Sequence, residues 1–138
     1  MIDILEYEEI FQGLKTFLSD NKQYCYNPSL VHYASAKPTY PYVVFEEIRN
    51  IPSKEYRGDI PDKISDLGYR VKIYSTTKGS VTKMTIARQI ASFVDRYLSG
   101  IGLKQVSFNP DPLVAQGDLY GLVMMYNASF YNNRRKII

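Results

Sequence analysis

The residue types best suited to catalysis or metal binding in this sequence are its single cysteine, Cys25, and its single histidine, His32. A cysteine nucleophile needs a base within hydrogen-bond reach, and these two lie apart in a proline-rich region. Cys25 is more typical of a small buried apolar residue, and we expect His32 on a strand or at the surface. One cysteine and one histidine also fall short of the usual structural zinc cluster. The sequence therefore predicts no catalytic residue, no metal site and no cofactor.

Two further patterns are typical of chemistry but have simpler interpretations. Glu46 and Glu47 are neighbours on a predicted strand, so their side chains point to opposite faces and cannot act as a carboxylate pair. Residues 76–80, Thr-Thr-Lys-Gly-Ser, precede a predicted helix, where free backbone N–H groups attract anions. The earlier glycine that completes a phosphate-binding P-loop is absent, which favours an ordinary strand-to-helix turn. We expect a protein that is not an enzyme.

Length and composition indicate one folded domain over residues 1–138. The chain has a mass of 15.9 kDa, 45% hydrophobic residues and 22% charged residues, enough apolar material for a core. A formal charge of +3 is a weak argument for a nucleic-acid partner. The start has no basic, apolar leader, and no later run reaches membrane-spanning length, so we expect a soluble cytoplasmic protein with no membrane partner.

Hydrophobic periodicity predicts the elements. Leu14 and Phe17 lie on the apolar stripe of a first helix, and Ile90 and Val94 on that of a second. Tyr69, Val71 and Ile73 alternate with polar neighbours, as in a strand with one wetter face. The predicted helices span residues 3–20 and 80–99, and the predicted strands lie near 30–33 and over 42–49, 67–75, 103–108 and 119–131.

This order predicts an α+β fold in which two helices pack on one face of a sheet that is mainly antiparallel, with a mixed sheet as the alternative. The other face then has no intramolecular cover. The strands at 42–49 and 67–75 form a hairpin with a long connection at about residues 53–66, and long connections are often functional. A basic C-terminal tail follows at residues 132–138. Thirteen tyrosines suit half-buried strand positions and subunit interfaces alike.

The arrangement resembles the tail terminator, or tail completion, proteins of long-tailed bacteriophages and of phage-tail-like bacteriocins. The resemblance covers most of the chain and lies in the order of its elements, without a catalytic motif. Its segments are an N-terminal helix, Pro41-Tyr-Val-Val-Phe45, Tyr69-Arg-Val-Lys-Ile-Tyr-Ser75, a long helix after Lys78-Gly-Ser80, and a last hairpin ending in an aromatic strand and a basic tail.

The resemblance implies a structural virion protein that forms a ring-shaped hexamer. Such a ring caps the head-proximal end of the tail tube, ends tube growth and offers a joining surface to the neck or connector protein. DNA passes transiently through the ring. The implied location is a virion or phage-tail-like particle assembled in the bacterial host cytoplasm.

The connection and the tail are the predicted interaction surfaces, because both are polar and rich in charge. Two alternatives stay open at this point: another head-tail neck or head-completion protein, and a small nucleic-acid-binding module whose exposed tyrosines stack on bases. The predicted interaction residues are Lys54, Tyr56, Arg57, Lys63, Arg134, Arg135 and Lys136.

Overall fold

The computed structural model describes residues 4–32, 39–52, 64–111, 119–131 and 136–137. Two helices and six strands lie in these residues, in the order α1 (Ile4–Asp20), β1 (Ser29–Val31), β2 (Tyr42–Pro52), β3 (Ile64–Ser75), α2 (Lys83–Gly100), β4 (Lys104–Pro110), β5 (Tyr120–Tyr131) and β6 (Lys136–Ile137).

The strands form one mixed sheet in the order β1-β2-β3-β5-β4, and β6 also pairs with β5. The pairs β2–β3, β3–β5, β4–β5 and β5–β6 are antiparallel, whereas β1 runs parallel to β2. The predicted α+β class with a mainly antiparallel sheet is therefore confirmed, and β5 lies inside the sheet as its long apolar sequence indicates.

The main core lies between the two helices and one face of the sheet. On β3 the alternation predicted from the sequence is confirmed, because Tyr69, Val71 and Ile73 are fully buried and join the same apolar cluster as the helices. Leu14, Ile90 and Val94 are buried as expected, and Phe17 is half-buried against the rings of Phe93 and Tyr97. Burying each such aliphatic side chain contributes about 1.5–3 kcal/mol.

Helix α2 begins later than the sequence pattern indicates. The cap is Thr82, whose Oγ1 accepts a hydrogen bond from the backbone N–H of Thr85 at 3.3 Å, rather than Ser80. Lys78 and Val81 instead close a tight turn, with Gly79 at a φ of 58° that favours glycine. This turn takes up Ser80 and Val81, which the sequence pattern assigns to the helix. Met84, which lies on the apolar repeat of the predicted helix, is 49% exposed and not in the core.

The second face of the sheet is partly covered, which corrects the expectation of a bare face. Tyr42, Val44 and Tyr74 are 7%, 2% and 8% exposed and form their own apolar cluster. The rings of Tyr42 and Tyr74 lie 5.0 Å apart across the β2–β3 pair, and Tyr40 and Leu119 pack beside them. Side chains that immediately precede β2 and β5 therefore cover part of this face.

The predicted β2–β3 hairpin is confirmed, with longer strands than expected. Pro52 pairs with Ser65 and Tyr42 with Tyr74, so residues 64–66 belong to β3 and not to the connection. Neither helix in the described residues is long and apolar enough to cross a membrane.

Candidate functional site

Most predicted interaction residues lie outside the described part of the chain. Lys54, Tyr56, Arg57 and Lys63 fall in residues 53–63, and Arg134 and Arg135 fall in residues 132–135. The backbone of Lys136 is described: it belongs to β6 and pairs with Tyr131 of β5. The C-terminal segment thus folds back along the last long strand.

The strand register brings the two predicted surfaces to the same end of the sheet. Pro52, the last residue before the connection, pairs with Ser65, which pairs with Phe130, which pairs with Ile137. Adjacent strands lie about 4.8 Å apart, so this row of four residues spans only about 14 Å. The ends of the connection and the start of β6 therefore lie close together. The sequence alone could not establish this, because it gives the two segments separately and not the pairing of their strands.

At one side of the sheet, α1 contacts β1 and β2 through aromatic and acidic residues. The Tyr7 hydroxyl donates to the carbonyl oxygen of Phe45 and lies 2.8 Å from Nδ1 of His32. A carbonyl only accepts, so the single hydroxyl proton goes to Phe45, and Nδ1 of His32 carries the proton of the second bond. Phe11 stacks on the His32 ring with centroids 3.8 Å apart.

Carboxylates surround this contact. Glu8 Oε1 lies 4.0 Å from His32 Nε2. The pKa of Tyr7 is raised above its ordinary value, first by burial and then by the negative charges of Glu8, Glu46 and Glu47. The Tyr7 hydroxyl therefore stays protonated at neutral pH and acts as a structural donor.

A bulge in β2 lies next to these acids. Glu47 pairs with Tyr69 and Arg49 with Gly68, so Ile48 has no opposite residue and is 41% exposed. Because β1 pairs only with residues 42–44, β2 is the outermost described strand here. We call Glu8, Glu47 and Ile48 the acidic edge.

The opposite side of the sheet has a second bulge, with two cations nearby. On β4, Gln105 pairs with Tyr126 and Ser107 with Met125, so Val106 has no opposite residue and is 55% exposed. Lys104 is exposed two residues earlier, and the guanidinium of Arg88 on α2 lies 5.8 Å from the centre of the Phe108 ring. We call Arg88, Lys104 and Val106 the basic edge.

The only carboxylate of α2 is directed into the structure. Asp95 Oδ1 accepts a 2.7 Å hydrogen bond from the hydroxyl of buried Tyr126 and a 3.2 Å bond from Ser99. Gln105 Nε2 donates to the Tyr126 hydroxyl oxygen at 3.2 Å. Burial and Asp95 both raise the pKa of Tyr126. This cluster joins α2 to β4 and β5.

The second sheet face carries a short row of charges beside the tyrosine cluster. Glu46 accepts from Arg70 Nε, and Lys72 Nζ lies 4.0 Å from the same carboxylate. Arg70, Lys72 and Tyr74 share one face of β3, the wetter face that the sequence alternation predicts. Because Tyr42 and Tyr74 are less than 10% exposed, their rings are not available to stack on bases.

Cys25 and His32 lie beside opposite ends of α1 and are far apart. The Cys25 thiol donates to carbonyl oxygens of Asn21 and Leu18 at 3.3 and 3.6 Å, and burial raises its pKa. His32 contacts Tyr7, Glu8 and Phe11, near the other end of the helix, about 15 Å away at 1.5 Å per residue. Among the described residues, no group of three His, Cys, Asp or Glu side chains is placed to hold a metal ion.

Comparison with known proteins identified no relative: no protein-family model matches the chain, and no curated protein matches it.

Proposed function

We propose that this protein is a structural ring-forming protein that caps the head-proximal end of a phage or phage-like tail tube, ends tube growth and provides the joining surface to the connector. The active form is a homo-oligomer, a hexamer in this proposal, with the tail tube protein and a neck or connector protein as neighbours. The elements that carry the resemblance to tail terminators occur in the fold in the expected order.

The observation that carries the proposal is the convergence of the connection and the C-terminal segment at one end of the sheet. Pro52, Ser65, Phe130 and Ile137 lie in one row across four strands. A subunit of a capping ring needs its contact segments on the same side, facing the tube or the connector. Segments projecting from opposite ends of the sheet would not give one common docking surface.

The distribution of side chains supports a structural role over the nucleic-acid-binding alternative. Base-stacking proteins present exposed aromatic rings in a basic groove. Here the aromatic rings of the second face are buried, and Glu46 neutralises part of the charge of Arg70 and Lys72. Two cations against one carboxylate leave a weak positive charge, which suits DNA that passes without being held.

The proposal is tested first by mass in solution and electron microscopy of the purified chain. We expect a species of six times the 15.9 kDa monomer mass, seen as a ring with a central opening. Disrupting the coding sequence in its source genome should give tail tubes of uncontrolled length. Tubes of normal length beside unjoined heads would instead indicate a neck protein and would overturn the terminator proposal.

A shortened hairpin tests the contact surface directly. Because Pro52 pairs with Ser65, replacing residues 53–64 by Asn-Gly gives a two-residue hairpin turn that closes the same strands. The variant should fold and form rings but should not restore tube length control. The matched variant, with Arg134, Arg135 and Lys136 changed to Ala, should keep length control and alter DNA passage or retention. Normal tubes and normal infectivity from both variants would show that these segments are passive.

A further inference from the structure

His32 lies where the pairing of β1 with β2 ends. Val31 and Val44 form the last residue pair of these two parallel strands. The next residue on each strand, His32 on one and Phe45 on the other, is contacted by Tyr7, whose hydroxyl meets both Nδ1 of His32 and the carbonyl oxygen of Phe45. Because β1 has only three residue pairs, this link from α1 reinforces a short backbone ladder.

These hydrogen bonds determine which nitrogen of His32 carries the proton. The Phe45 carbonyl oxygen can only accept, so it takes the single hydroxyl proton of Tyr7, and Nδ1 of His32 donates to the hydroxyl oxygen. A neutral imidazole has one N–H group, so its Nε2 has a lone pair instead. Nε2 lies 4.0 Å from Oε1 of Glu8, and a carboxylate is also only an acceptor. When the imidazole is neutral, two acceptors therefore face each other.

We infer that His32 and Glu8 form a pH-sensitive contact: a proton taken up at Nε2 joins the two side chains and holds β1 against α1, and loss of that proton releases them. Protonation turns the two facing acceptors into a charge-assisted donor and acceptor. Histidine is the side chain whose charge ordinarily changes between about pH 5 and pH 8, and His32 is the only histidine in the chain. This contact is independent of the proposed capping function.

The groups that α1 and β1 place around the imidazole accept a positive charge. The side chains of His32 and Glu8 are both 42% exposed, so a charged imidazole keeps part of its contact with water. Phe11 stacks on the ring with centroids 3.8 Å apart, close enough for a cation–π interaction. The three residues of β1, Ser-Leu-Val, have no ionisable side chain.

From β2, two more carboxylates lie near the contact. Glu46 and Glu47 are close enough to act on the Tyr7 hydroxyl through their charge, and a negative charge at this distance also favours a charged imidazole. Glu46 is itself paired with Arg70 and Lys72, and Glu47 has a further interaction. Glu8 is therefore the carboxylate that gains a partner when the imidazole is protonated.

The contact controls access to the outer edge of β2. Among the described residues, β1 is the only strand on this edge, where it covers residues 42–44. Its side chains add apolar contacts, from Leu30 to the main core and from Val31 to the second-face cluster. Release of His32 makes opening of β1 easier. The N–H and C=O groups that opening exposes on β2 are a template for another strand.

The position of the proton is the first test. ¹⁵N chemical shifts of the His32 ring at about pH 7.5 should show a protonated Nδ1 and a bare Nε2, and both nitrogens should be protonated at about pH 5.5. In Tyr7→Phe the acceptor for the Nδ1 proton is removed, so this preference should be lost. A wild-type ring with its proton on Nε2 at the higher pH would overturn the inference, because Nε2 would already donate to Glu8.

Hydrogen exchange measures the attachment of β1. Protection factors, in which the intrinsic pH dependence of exchange is divided out, report how often the amides of β1 open; one of them is the Ser29 amide, which donates to the Pro41 carbonyl oxygen at 3.2 Å. An imidazole that gains a carboxylate partner only when charged takes up its proton more readily in the closed state than in the opened one. Protection is therefore greatest on the acid side and falls as the pH rises.

We expect protection of β1 to be about two- to fivefold higher at about pH 5.5 than at about pH 7.5, as for an exposed ion pair. In Glu8→Gln, which conserves size at a partly exposed position, the amide N–H can donate to the bare Nε2, so this pH dependence should disappear. His32→Gln has no titrating ring and should also show none. Asp20→Asn removes one carboxylate charge from the other, exposed end of α1 and should keep the wild-type dependence.

Three results would overturn the inference: protection of β1 in the wild type that does not depend on pH, protection that rises with pH, or the same pH dependence in the wild type and in Glu8→Gln. Loss of the dependence in Asp20→Asn as well would show that the overall charge of α1, and not the Glu8 contact, is responsible. Because all of these measurements use the free chain, none of them bears on whether the protein caps a tail tube.

Discussion

Helices α1 and α2 are in close contact at Gly13, where the Tyr97 side chain leaves no room for a Cβ atom, and this contact predicts an unusual response to a Gly→Ala substitution. A Cβ atom built at Gly13 would overlap the hydroxyl oxygen of Tyr97 and lie 2.9 Å from its Cζ. Within a helix, alanine is favoured over glycine by about 1 kcal/mol. At Gly13 the new methyl group instead displaces the Tyr97 ring, which packs 5.5 Å from the ring of Phe17.

Overpacking of this kind costs about 1–3 kcal/mol, which equals or exceeds the gain in helix propensity. We expect Gly13→Ala to lower the free energy of unfolding by about 1 kcal/mol in urea denaturation. Gly100, in the last turn of α2, is the control, because a Cβ atom there meets nothing within 4 Å. Gly100→Ala should raise the free energy of unfolding by about 0.4–1 kcal/mol.

A double-mutant cycle identifies the cause. In a Tyr97→Phe background the hydroxyl is absent, so Gly13→Ala should cost less, with a coupling energy of about 1 kcal/mol. If Gly13→Ala stabilises the wild-type protein as much as Gly100→Ala does, or has the same effect with and without the Tyr97 hydroxyl, the proposed steric contact between the helices is wrong.

Three further predictions concern the core and the tyrosines. Ile90→Ala, in the centre of α2, should cost about 2–5 kcal/mol in urea denaturation; a change below about 0.5 kcal/mol would contradict its burial. Tyr126→Phe removes the donor to Asp95 and should cost about 1.5–3 kcal/mol, whereas no loss of stability would show that this bond is not stabilising. Burial and Asp111 raise the pKa of Tyr74 from 10.0 to about 12, so its contribution to stability is full below about pH 10 and is lost as the pH rises to about 12. In a pH series of melts, Tyr74→Phe should flatten this alkaline decline and Tyr24→Phe, at a 59% exposed position, should not.

The elements and the main core were predictable because they depend on local periodicity. In β3, the alternation of Tyr69, Val71 and Ile73 with charged residues identifies the buried face directly, and the structure confirms it. In α2, Ile90 and Val94 are placed by the helical repeat alone. Each of these predictions requires only that apolar side chains share a face.

The features that sequence reasoning missed depend on contacts between distant segments. The start of α2 was misplaced because the turn at Lys78 and Val81 competes with the helix for Ser80. The cover of the second face requires Leu119 to meet Tyr42, Val44 and Tyr74 of two strands that are distant from it in sequence. Periodicity carries no information on either point.

The acidic and basic edges also could not be predicted from sequence periodicity. Ile48 and Val106 look like ordinary strand residues, and only the register shifts of β2 and β4 show that they are unpaired and exposed. Glu8 belongs to the acidic edge because α1 lies beside His32, the residue that follows β1. A sequence reading places these residues on separate elements and gives no reason to group them.

The tyrosine content acquires a different meaning in the folded chain. Tyr69 and Tyr126 are fully buried, and Tyr42 and Tyr74 are nearly so. These rings therefore stabilise the subunit itself and are not exposed for contact with another subunit. If the ring is built as proposed, its subunit contacts must therefore be made by other side chains. Subunits held at high effective concentration by a shared surface assemble more readily than isolated subunits do. The tip of a finished tail tube is such a surface, so we expect it to lower the subunit concentration at which the ring closes below the value needed in free solution.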